Sequence, residues 1–157
     1  MTVAHAQAAG PWLELGARRI GPGQPTYIVA ELSANHHQDF EEAVRLIEAA
    51  HAAGADAVKL QTYTADTITF RGLGPEFTIR GGTAWDGQRL SDLYAAAAMP
   101  WEWQPRLQAV AERLGLELFS SAFDPTAVEF LEAMGVPAHK VASFELVDLP
   151  LIECMAR

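Results

Sequence analysis

The chain has a single cysteine, Cys154, among 157 residues. An internal disulfide is therefore excluded, and nothing in the cysteine usage points to an oxidising compartment. Positive charge is also scarce, with 11 Lys and Arg against 20 Asp and Glu, a formal charge of −9 and a pI near 4.9. That balance argues against a nucleic acid or an anionic membrane as partner, since either needs a basic surface. A small anion held by one or two lysines is still allowed. No run reaches the roughly 18 apolar residues of a membrane span, and the opening MTVAHAQAAG lacks the basic start and apolar stretch of a signal peptide. The expectation is a cytoplasmic protein. Disorder is excluded in turn, because 50% of the residues are hydrophobic and only 20% charged. One further shortage is of length, for a closed eight-unit α/β barrel takes about 250 residues.

What is present is an alternation of strands and helices. WLELGARRIGPGQP reads as two short strands with a Gly/Pro turn, so residues 1–26 are an extension with a small β-hairpin. YIVAEL, residues 27–32, is a near-continuous apolar run of the kind buried on both faces of a parallel sheet. The period then changes. Phe40, Ala43, Val44, Ile47 and Ala50 share one helical face, with Asp39 as cap and Gly54 as stop. DAVKLQTY follows as a second buried strand, and a strand-helix-strand unit is a parallel crossover. Two more helix-Gly-strand passages repeat the plan. One carries Trp103, Leu107, Val110 and Leu114, stops at Gly115 and leads into LELFSS. The other is capped by Asp124, carries Val128, Leu131 and Met134, stops at Gly135 and leads into AHKVAS. A further helix starts near Asp148. Between Thr64 and Pro100 the alternation is interrupted by a long segment with the character of a lid or binding loop, containing a short helix from Ser91 to Ala98 capped by Ser91.

In parallel α/β folds ligands bind beyond the carboxyl ends of the strands. The polar residues there are Glu31, then Lys59 and Gln61, then Ser120 and Ser121, then Lys140, Ser143 and Glu145. Lys59 and Gln61 are two apart and leave the same face of their strand. A lysine on an interior face is costly unless an anion neutralises it, and Lys140 raises the same problem nearby. Together with Ser143 the two cations would cradle a phosphate and a carboxylate. The plainer alternative is that each lysine pairs with Glu31 or Glu145, or reaches solvent. Adjacent His36 and His37 lack the spacing of a metal-binding pair and suit loop ordering or hydrogen bonding to substrate. His139 is expected to face the helices, His51 to be structural, Trp101 and Trp103 to be packing anchors, and Cys154 a packing residue. GPGQP and RGG lack the strand-glycine-helix context of a nucleotide loop.

The runs YIVAELSANHHQ, AGADAVKLQTYTADTIT and LFSSAFDPTAVEFLEAMGVPAHKVASFELVDLPLI resemble, in order, the amino-terminal half of the sialic acid synthase family. The ASFE motif, WDGQRLSDLY and PWEW resemble the branch of that family that makes pseudaminic acid. The resemblance implies that residues 27–157 are the amino-terminal half of a (β/α)8 TIM barrel. It implies condensation of phosphoenolpyruvate with an amino-sugar aldehyde, here 2,4-diacetamido-2,4,6-trideoxy-L-altrose, with release of phosphate. Lys59, Lys140 and Ser143 match positions that hold phosphoenolpyruvate, and Gln61 and Glu31 match positions lining the same cavity. Asn35 and His36 are placed with the substrate-binding group, and Glu145 and Glu31 with the catalytic one.

The same resemblance implies a divalent metal, manganese or else magnesium, held by histidines of later strands and by no residue of this chain. It implies an antifreeze-like carboxyl-terminal domain and a homodimer as well. None of those regions is represented here, so the chain is expected to be a piece of a longer protein and inactive alone. Other readings stay open at this stage: an N-acetylneuraminate or legionaminate synthase, a Schiff-base aldolase using Lys59 or Lys140, or a non-catalytic half-barrel.

Overall fold

The computed structural model describes residues 11–157, and the reading of the first ten residues lies outside them. The chain opens with strands β1 (Leu13–Leu15) and β2 (Arg18–Ile20), paired antiparallel as the expected hairpin. Next come β3 (Val29–Glu31), helix α1 (Phe40–Ala52) and β4 (Ala57–Thr62). After β4 lie a one-turn helix α2 (Ala65–Ile68), a long loop and α3 (Leu90–Ala97). The chain then runs through α4 (Gln104–Arg113), β5 (Glu117–Ala122), α5 (Pro125–Met134), β6 (His139–Lys140) and α6 (Leu149–Met155). Strands β3 to β6 form one parallel sheet in sequence order. This is the layout of four of the eight strand-helix units of a (β/α)8 barrel.

The helices start and stop where the sequence dictates. The Asp39 carboxylate accepts from the amides of Glu41 and Glu42, and the Asp124 carboxylate from those of Thr126 and Ala127. Each cap satisfies amide groups that have no partner within the helix. At the far end of α5, Gly135 takes φ +70° and returns its amide to the carbonyls of Leu131 and Glu132. Only glycine adopts that left-handed turn without strain. Asp148 caps α6 by accepting from Leu151. Ser91 does not cap α3, because that helix begins at Leu90, inside the turn where Arg89 bridges to Thr78.

Paired residues of neighbouring strands share a face, which sorts the sheet into two sides. Ala30, Val58, Leu60, Thr62, Leu118, Ser120 and Ala122 lie on the helix side. There Leu60, Leu107 and Ile47 are fully buried in one core with Leu118 and Val110, and Leu131, Val128 and Leu151 make a second under α5 and α6. Cys154 packs at the edge of that second core.

The opposite face carries Glu31, Lys59, Gln61, Phe119, Ser121 and Lys140. Two strand expectations are corrected. The first strand is not buried on both faces, since Val29 is 39% exposed and Ile28 49%; β3 is a sheet edge among the described residues. The fourth is shorter than AHKVAS, because only His139 and Lys140 pair with β5 before the chain turns into a 3-10 segment at Phe144–Val147.

Candidate functional site

Lys59 stands third in β4, directly paired with Glu31 on β3. Its side chain is 12% exposed and its Nζ lies 3.1 Å from Glu31 Oε2. The counter-ion reading of this lysine is thus realised in the structure, and the pair sits on the non-helix face. One step further along the strands, Gln61 pairs with Ser121 and Ser121 with Lys140, so these three form a row across β4, β5 and β6. Lys140 makes no ion pair among the described residues. The face therefore carries one compensated cation and one uncompensated cation, with an amide and a hydroxyl between them. That set suits an anion with more than one charged group.

Beyond β6, Ser143 is exposed at the start of the 3-10 segment, and Glu145 follows within it. Glu145 Oε2 is buried without a hydrogen-bond partner. The helix-capping Asp124 carboxylate and the His36 ring carry such an atom too, so this observation alone does not assign a ligand to Glu145.

Ser120 is not part of this group. It lies on the helix side, where its hydroxyl is 2.6 Å from that of Thr62. Thr62 in turn donates to Gln104 Oε1 at 2.8 Å. Thr62 has one proton to give, so Ser120 is the donor to it. The neighbouring serines thus divide, one to a buried structural network and one to the site face.

The loop after β3 has a distinct build. Ser33, His37 and Gln38 all take positive φ, at 49°, 48° and 59°, and non-glycine residues hold that conformation only where the surroundings enforce it. The enforcement is visible. Gln38 Nε2 donates to the carbonyls of Ala96 at 2.9 Å and Ala98 at 2.7 Å, and Gln38 N donates to His36 Nδ1 at 3.1 Å. His36 is 1% exposed and meets Trp103 edge-on at 5.8 Å. Burial, with a smaller effect of His37, lowers its pKa from the ordinary 6.5. The structure therefore gives His36 the loop-ordering role and does not bring its ring to the site. Asn35 is exposed and its amide donates to the Leu32 carbonyl at 3.1 Å.

Between this loop, Gln61 and α3 there is a cavity of about 500 Å³, bordered by Asn35, His37, Tyr63, Trp85 and Tyr94. The sequence reading missed the last three. A period-two continuation from Gln61 to Tyr63 was the available signal for one of them. Tyr63 is held by edge contacts to Tyr94 and Phe123, and burial raises the pKa of its hydroxyl. Trp101 fixes the backbone beneath it, donating to the Tyr63 carbonyl at 3.2 Å and packing on Phe130. RGG, weak as a phosphate loop, instead wraps Asp86, whose carboxylate accepts from the amides of Gly81, Gly82 and Thr83. These hydrogen bonds push the Asp86 pKa down to about 2. His139 faces α5, as expected, at 2.5 Å from Glu132. Among the described residues no three His, Cys, Asp or Glu converge to hold a metal ion. Among the described residues no helix is long and apolar enough to cross a membrane.

A parallel half-sheet backed by helices, with polar side chains toward the carboxyl ends of its strands, places the chain in the TIM-barrel class. The NeuB family model matches residues 46–157, and the chain belongs to that family. It is 48% identical over 134 residues to pseudaminic acid synthase of Helicobacter pylori, covering 85% of this chain and 39% of that one. It is 43% identical over 131 residues to pseudaminic acid synthase of Campylobacter jejuni, with 83% and 38% covered. N,N'-diacetyllegionaminic acid synthase of Legionella pneumophila is 30% identical over 138 residues, with 88% and 38% covered. Among solved structures, the N-acetylneuraminic acid synthetase of Leptospira borgpetersenii, in complex with citrate, superposes with a TM-score of 0.77 at 26% identity, over 92% of this chain and 46% of that one. The chain thus spans about two fifths of the length of the curated relatives it matches.

Proposed function

We propose that this chain carries the phosphoenolpyruvate-binding part of a synthase that joins phosphoenolpyruvate to an amino-sugar aldehyde and makes pseudaminic acid. The observation that carries the reading is the row on the non-helix face: Lys59 beside Glu31, and Gln61, Ser121 and Lys140 one step further. The pseudaminic acid product is favoured by the 48% and 43% identities, well above the 30% to the legionaminic acid enzyme.

In this reading Lys59 and Lys140 hold the phosphate and carboxylate, with Ser143 and Gln61 as hydrogen-bonding partners. The methylene carbon of phosphoenolpyruvate attacks the sugar aldehyde carbon, forming the new carbon–carbon bond while the aldehyde oxygen takes a proton. Water adds to the resulting cationic enol carbon and loses a proton. The tetrahedral intermediate then expels phosphate, leaving a keto acid. Positive charge near the departing phosphate stabilises the transition state. Glu145, which has a buried oxygen free of protein partners, is assigned in this reading to take the proton from water or to orient the sugar. Glu31 keeps Lys59 in position. A divalent metal, manganese or magnesium, belongs to the proposal with ligands from outside this chain, as does a homodimer of the whole protein.

The test is phosphate release by the full-length protein, given phosphoenolpyruvate, manganese and each candidate sugar. Phosphate release with 2,4-diacetamido-2,4,6-trideoxy-L-altrose, exceeding that with N-acetylmannosamine, is expected. The opposite preference rejects pseudaminic acid as product, and no release with any amino sugar rejects the reaction.

A further inference from the structure

The cavity beside Gln61 differs in kind from the lysine-bearing face. Its lining contains no Asp, Glu, Lys or Arg, but has three aromatic rings, from Tyr63, Trp85 and Tyr94, together with Leu93 and the amides of Asn35 and Gln61. At about 500 Å³ it falls within the usual range for small-molecule sites, which are mostly apolar with a few placed polar groups. Apart from the His37 imidazole, such a lining offers a phosphate or carboxylate no basic side chain. It fits an uncharged ligand that presents methyl groups and amides, since aromatic faces cover the former and Asn and Gln side chains pair with the latter.

Gln61 belongs to both regions, bordering the cavity and standing in the row with Ser121 and Lys140. A ligand in the cavity therefore abuts whatever anion the lysines hold. The wall opposite Gln61 comes from the segment between Thr64 and Pro100, which is also where the strand-helix alternation is interrupted.

We propose that this cavity is the specificity pocket for the sugar, with Trp85, Tyr63 and Tyr94 packing against its methyl and acetamido substituents and Asn35 reading an amide. The inference rests on the reaction proposed above and deepens it, assigning sugar choice to the inserted segment and anion binding to the strands. A sugar lacking one acetamido group and carrying a hydroxyl at C6 leaves part of the pocket unfilled and its amides unpaired, and so is selected against.

Trp85 is half exposed and lies outside both cores, so Trp85→Ala tests the pocket without removing core packing. In the full-length protein this substitution is expected to raise KM for 2,4-diacetamido-2,4,6-trideoxy-L-altrose by roughly 10- to 200-fold, the range for lost apolar contacts in a pocket. The KM for phosphoenolpyruvate should stay within about twofold, and the preference over N-acetylmannosamine should narrow. Titration calorimetry with the diacetamido sugar reads binding without turnover and should show the same loss. Tyr94→Leu, on the α3 wall, is read the same way if Trp85→Ala fails to fold. A sugar KM changed by less than about twofold, or an equal rise in both KM values, overturns the inference. Continued phosphate release in that assay leaves the reaction standing. No release by the unsubstituted protein with either sugar overturns both.

Discussion

Glu31 and Lys59 occupy directly paired positions on adjacent parallel strands, and their side chains meet at 3.1 Å on the face away from the helices. Lys59 is mostly covered while Glu31 is 43% exposed, so the carboxylate can turn to solvent when an anion arrives and the ammonium cannot follow it. In the full-length protein, Lys59→Met is expected to lower kcat/KM for phosphoenolpyruvate by roughly 100-fold or more, the scale of losing one charge-stabilising donor. Steady-state phosphate release measures it, and a change below about tenfold removes Lys59 from the anion site. Borohydride is expected to trap no adduct at Lys59 or Lys140, and a trapped adduct would restore the Schiff-base reading.

Thr62 links Ser120 and Gln104 inside the helix-side core. Thr62→Val keeps the shape and removes the hydroxyl, leaving Gln104 Oε1 buried without its partner and Ser120 with only its long contact to the Ser121 carbonyl. The expected loss is about 1–3 kcal/mol, read from urea unfolding, with KM for phosphoenolpyruvate unchanged. Unchanged stability would mean that the network is relieved by other groups.

His36 gives the fold a dependence on pH. Because burial lowers its pKa in the folded chain, the unfolded chain binds the proton more readily. Stability is then full above the ordinary value of 6.5 and declines as the pH falls below it. His36→Gln, which can still accept from the Gln38 amide, should flatten the decline in urea midpoint on that acid side. An equally steep decline in the variant would shift the cause to another group.

Asp86 works in the same sense, at lower pH. Its carboxylate is held ionised to about pH 2 by the amides of Thr83, Gly82 and Gly81 and the Thr83 hydroxyl. Its contribution to loop order is present above the usual carboxylate range and is lost as the pH falls through that value. Asp86→Asn should speed hydrogen exchange at Gly81, Gly82 and Thr83 at neutral pH while the core amides stay protected. Unaltered exchange would show that the turn orders itself.

Much of this could be read from residue order, and the failures share a cause. Lys59 and Gln61 were legible because period two fixes which side chains share a face of a strand. Asp39, Asp124 and the glycines at 54, 115 and 135 mark helix ends through local chemistry alone. Ser120 was not legible as structural, since its role depends on Thr62 of the neighbouring strand and, through Thr62, on Gln104 of α4. His36 likewise could not be separated from Asn35 or His37 before its ring was seen to meet Trp103. The extent of the last strand also depends on long-range pairing, so AHKVAS read as a full strand where two residues pair. The cavity was invisible for the same reason, because Trp85 on an irregular loop and Tyr94 on α3 meet Gln61 only through long-range packing.

Gln38 holds the carbonyls of Ala96 and Ala98 with a single amide nitrogen, so the loop after the first barrel strand and the end of α3 are one mechanical unit although about 60 residues apart in sequence. An exchange of sugar preference by grafting a relative's version of residues 64–100 would thus import a helix end whose anchor is encoded elsewhere. A working chimaera needs position 38 and its left-handed neighbours to travel with the graft, which makes the unit of inheritance for this pocket two separated stretches of chain.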